Sequence, residues 1–102
     1  MITLFEQILN GPAYVLGEHG LNDIDRAVFL PHDNPDAELL YVRFYEEPGD
    51  PASWAKLFLC KHEDGSIEVE LIDYYDKEPL WEVQSIDRDA KVVYKFEGYY
   101  LQ

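Results

Sequence analysis

Basic residues are scarce in this chain. Eight Lys and Arg stand against 21 Asp and Glu, a formal net charge of -13. At that imbalance phosphate backbones and anionic lipid surfaces repel the protein, which argues against direct nucleic-acid or membrane-surface binding. Cysteine is nearly absent too. Cys60 alone cannot close an internal disulfide, which fits a reducing compartment. No apolar run approaches the roughly 20 residues that span a bilayer, and the start MITLFEQILNGP lacks the basic region and long apolar stretch of a secretion signal. A cytoplasmic location is expected. No Gly-x-Gly-x-x-Gly, no phosphate-binding loop and no Gly-x-Ser-x-Gly occurs, so the commonest nucleotide and hydrolase signatures are missing.

Apolar and aromatic residues, by contrast, are plentiful. Over 102 residues, 47% hydrophobic content with eight Tyr, five Phe and two Trp suffices for one core, so a single domain over 1–102 without a linker is expected. Thr3-Leu-Phe-Glu6 matches a capping box, in which threonine and the glutamate three residues on satisfy amides at a helix start. Leu4, Phe5, Ile8 and Leu9 then share one face, and Gly11-Pro12 supplies the stop.

Beyond Pro12 the pattern becomes short runs of Val, Ile, Tyr and Phe between Gly, Pro, Asn and Asp. The expected architecture is α+β: a short N-terminal helix packed on a mainly antiparallel sheet of about five to six strands. Candidate strands are Ala13 to Leu16, Ala27 to Leu30, Glu38 to Glu47, Ala55 to His62, Ser66 to Tyr75, Leu80 to Ile86 and Lys91 to Leu101. Asp64-Gly65 marks a tight hairpin. A short helical turn over Pro51 to Trp54 is compatible with Asp50 as its cap. Ile-Asp-Arg at 24–26 and again at 86–88 reads as a turn entering a strand.

The acids are unevenly spread. Six lie between Asp33 and Asp50 against Arg43, and eight between His62 and Glu82 against Lys77, while the last twenty residues are balanced. The densest stretch is ELIDYYDKEPLWE, residues 70–82, with five carboxylates and three aromatic rings. Strict alternation over Ser66 to Tyr75 puts Ile67, Val69, Leu71, Asp73 and Tyr75 on a core face, and Glu68, Glu70, Ile72 and Tyr74 on the other. That pleat builds an acidic surface with an aromatic edge.

Asp73, on the otherwise apolar face, is the candidate for a partly buried acid, paired with Lys77 or Arg43. A small enzyme or ligand-binding domain using Asp73 with His19 or His32 is the alternative reading. His19, His32 and His62 lack the spacing of a helical zinc site, and HDNPDAE lacks that of an EF-hand loop, so no metal or cofactor is expected. Cys60, in LFLCK, reads as a buried thiol. The apolar run Gly98-Tyr-Tyr-Leu101 at the end of the last candidate strand could pair with a second copy, so monomer and homodimer both stay open.

The run WAKLFLCKHEDGSIEVELIDYYD, Trp54 to Asp76, resembles the immunity and antitoxin proteins of bacterial toxin systems: a tryptophan, an apolar strand, an Asp-Gly hairpin, and a second strand ending in acids and aromatics. The resemblance implies a small cytoplasmic protein, not an enzyme, that binds and blocks a basic cognate toxin such as a nuclease. On that reading Glu68, Glu70, Asp73, Tyr74, Asp76 and Glu78 would meet the partner, with Tyr75 or Trp81 as aromatic anchor.

Overall fold

A computed structural model describes residues 2–10, 14–15, 24–47, 49–77 and 93–99, with the backbone alone for residues 10, 14–15 and 93–99. The elements are α1 (Leu4–Asn10), β1 (Tyr14–Val15), β2 (Ile24–Leu30), β3 (Ala37–Phe44), β4 (Ser53–Lys61), β5 (Ser66–Tyr75) and β6 (Val93–Tyr99). One sheet runs in the order β1-β5-β4-β3-β2-β6. The α+β class therefore holds. Its body is an antiparallel meander of four strands, β2 to β5, smaller than the five to six strands expected. Two further elements flank that body: β1 lies parallel to β5 through two residue pairs, and β6 lies antiparallel to β2. The candidate strand Leu80 to Ile86 and the second Ile-Asp-Arg fall outside the described residues.

The helix begins at the expected place with the threonine half of the capping box, and with one addition from far along the chain. Thr3 Oγ1 accepts the Glu6 amide at 3.0 Å. The Leu4 and Phe5 amides, which no helical carbonyl can reach, donate to the two oxygens of Glu38 on β3 at 2.9 and 3.0 Å. Leu4, Phe5 and Ile8 then pack on the sheet with Ile24, Ala27 and Phe29 of β2, Leu40, Val42 and Phe44 of β3, Ala55, Leu57 and Leu59 of β4, and Ile67 and Val69 of β5. Phe5 meets Phe29 edge to face, with ring centroids 6.2 Å apart.

The opposite face of the sheet carries a smaller core of Val28, Tyr41 and Trp54, flanked by Leu30 and Tyr75. Cations cover these rings: the Arg26 guanidinium lies 5.7 Å from the Trp54 ring and Lys56 Nζ 5.5 Å from the Tyr41 ring. Three of the few basic residues thus serve this face, because Arg43 closes a two-pronged bridge to Asp25 at 2.7 and 2.6 Å.

Turn chemistry settles the connections. The His62 amide donates the closing hairpin bond to Ser66 O at 2.8 Å, Gly65 N donates to His62 O, and Gly65 sits at φ +89°. The hairpin expected at Asp64-Gly65 thus forms as a three-residue loop with glycine in the left-handed position. Asp64 accepts both the amide and the hydroxyl of Ser66. These bonds, the hydroxyl's first, hold the Asp64 carboxyl below its ordinary value of 3.8. Three expectations are corrected. No helical turn forms over Pro51 to Trp54, since β4 is already extended at Ser53. The first Ile-Asp-Arg lies inside β2, at a register shift against β6, rather than in a turn. Cys60 is half-buried rather than fully packed away.

Candidate functional site

The segment rich in acids and rings is the second half of β5 and the turn beyond it. Its geometry is set by one irregularity. Leu71 lies opposite Leu57 and Asp73 opposite Lys56, so Ile72 is an extra residue, a β-bulge. A bulge reverses the alternation, and every side chain after it changes face.

Asp73 and Tyr75 therefore join Glu68 and Glu70 on the face away from α1, and Tyr74 moves to the α1 face beside Phe44, with centroids 6.1 Å apart. This overturns the strict alternation expected from the sequence. It also corrects the reading of Asp73 as a partly buried acid paired with Lys77 or Arg43. The residue is exposed, its carboxylate accepts the Tyr74 amide at 3.2 Å and the Tyr75 hydroxyl at 3.1 Å, and Arg43 is committed to Asp25.

The remaining predicted contacts fall out as follows. Glu70 and Asp76 are exposed, and Glu68 lies 3.4 Å from His62 Nε2. Tyr75 is half-buried, with its ring 5.9 Å from Tyr41, so it belongs largely to the second core. Leu71, Ile72 and Tyr74 are the apolar exceptions, 44%, 47% and 44% exposed. Glu78 and Trp81 lie outside the described residues, as does His19. His32 does not meet Asp73 in any described contact: its ring packs on Phe58 at 5.5 Å and its Nδ1 accepts the Asn34 amide.

Four residues outside the predicted contacts belong here. A cavity of about 260 Å³ is lined by Glu46, Asp50, Pro51, Ser53 and Asp76. The Tyr74 hydroxyl at its side donates to Glu46 Oε1 at 3.2 Å and accepts from the Ser53 hydroxyl at 3.1 Å. The signal was available: a hairpin centred on 64–65 lays the start of β4 against the end of β5, bringing the turn around Asp50 beside Asp76. Among the described residues no group of His, Cys, Asp or Glu is arranged to hold a metal ion.

One acid–base cluster lies apart from this corner. Burial pushes the Asp25 carboxyl up, but the hydrogen bond and charge of Arg43, with the Tyr45 hydroxyl at 3.1 Å, outweigh it and hold Asp25 below 3.8. Its chemistry is structural. It locks β2 to β3 and leaves the β5 corner with carboxylates and exposed apolar groups.

What fold and site define together is a small α+β sheet protein with an acidic, partly apolar corner. No helix among the described residues is long and apolar enough to cross a membrane. No protein family, no functionally characterised protein and no solved structure matches the chain.

Proposed function

We propose that this protein is an inhibitory binding protein of the immunity type, acting in the cytoplasm without a cofactor, which masks the active site of a basic partner such as a nuclease toxin. One observation carries the reading. The bulge at Ile72 brings the exposed Asp73 onto the face of the exposed Glu70 and the partly buried Glu68, and Leu71, Ile72 and Tyr74 in the same stretch stay open to solvent. Acids of that face steer a basic partner within a Debye length of about 8 Å at physiological salt. The exposed ring and aliphatic groups supply the desolvated contact that carries affinity, where loss of one anchor costs about 2 kcal/mol or more. Glu46, Asp50 and Asp76 extend the same potential around the adjoining cavity.

The test is co-expression with the toxin domain encoded by the neighbouring reading frame. The wild-type chain should restore growth. The triple variant Glu70→Gln, Asp73→Asn, Asp76→Asn should bind that domain more slowly and with a flatter dependence on salt. Unchanged association of the neutralised variant, or a neighbouring frame without any basic toxin domain, would sink the proposal.

A further inference from the structure

The inner edge of β5 is paired with β4 along nearly its whole length, but β1 covers the outer edge only at Ser66 and Ile67. Among the described residues no strand lies on that edge beyond Ile67. The stretch Leu71 to Tyr74 shows two signs of an open edge. Its three large apolar side chains are about half exposed, and the Tyr74 amide donates to its neighbour Asp73's carboxylate rather than to another strand's carbonyl.

Bulges and charges are common devices for protecting an edge from unwanted pairing. Protection alone does not account for this one, because three of its four consecutive residues are large and apolar. We infer that the outer edge of β5 from Leu71 to Tyr74 receives an extended segment of the basic partner as an added strand.

The sides of the edge state what that segment must carry. On the face away from α1 the neighbours are Glu70 and Asp73, and on the α1 face Leu71 and Tyr74. A strand laid alongside alternates its side chains between those faces, so Lys or Arg must alternate with apolar residues. A second copy of this chain is the wrong occupant. Pairing β5 with itself brings Glu68, Glu70 and Asp73 of one copy beside those of the other, and each chain already carries -13.

The inference rests on the basic-partner reading and adds the main-chain mode by which the partner docks. Its test uses the full-length protein and a short acetylated peptide in which lysine and valine alternate. Amide shifts and hydrogen exchange are followed by NMR at low salt, with the chain's sedimentation measured at the same concentration. The alternating peptide should shift the amides of Leu71 to Tyr74, and protect those of them that face the outer edge, in a monomeric protein. Methylating alternate peptide nitrogens, which preserves charge and side chains, should weaken binding at least about tenfold, the effect of losing one to two main-chain hydrogen bonds.

Equal binding of the methylated peptide, no change at those amides, or self-association through β5 would each overturn strand addition. The functional reading fails separately. A toxin held by the β5 acids while the Leu71 to Tyr74 amides exchange as in the free protein removes the docking mode alone.

Discussion

Glu38 shows how misleading a count of acids can be at the scale of single residues. It belongs by position to an acidic segment, yet both its oxygens accept amides of the first helical turn. Glu38→Ala should lower stability by about 1–2 kcal/mol, read from the urea midpoint, and leave association with a basic partner unchanged. Asp25 is the other structural acid. Its carboxyl is held below 3.8, so its bridge to Arg43 contributes fully above that value and is lost as pH falls through the lowered one. Asp25→Asn should therefore cost about 1–3 kcal/mol at neutral pH. The gap between variant and wild type should close as pH is taken from about 5 towards about 2. A gap that stays constant would remove the assigned role of the charge.

Elements are held in register by their turns and by one insertion. Gly65 adopts φ +89° with open space around its Cα, so an added Cβ meets no clash and the cost is conformational alone. Gly65→Ala should destabilise by about 1 kcal/mol, measured by thermal melting, without altering the surface of β5. The bulge at Ile72 has the larger consequence. Without it, Asp73 and Tyr75 would point at the α1 core and Tyr74 at the acidic face. Alternation alone could not reveal this, because an inserted residue leaves the local composition of a strand unchanged.

At the scale of the whole molecule the excess of 13 negative charges favours repulsion. Among the described residues, a partly buried bridge at Asp25 and the contact between His62 and Glu68 oppose it. Raising salt from about 0.01 M to about 0.15 M shortens the screening length from about 30 Å to about 8 Å, and should relieve repulsion more than it weakens those pairs. Tm should rise by about 4–8 °C if the gain is on the order of 1 kcal/mol. A fall in Tm over that range would mean that the pairs dominate.

Apolar spacing and turn chemistry in the sequence alone determined the helix from Leu4, the strands from Ala37, Ser53 and Ser66 to within about three residues, and the hairpin at Gly65, because these depend on neighbours in the chain. Tertiary structure decided which acids are structural. It also decided which face Asp73, Tyr74 and Tyr75 take, and that Glu46 and Asp50 stand beside Asp76. Each of those outcomes hangs on a strand partner or on one inserted residue in a ladder, and the position of a side chain across a sheet is a property of the pair rather than of either segment.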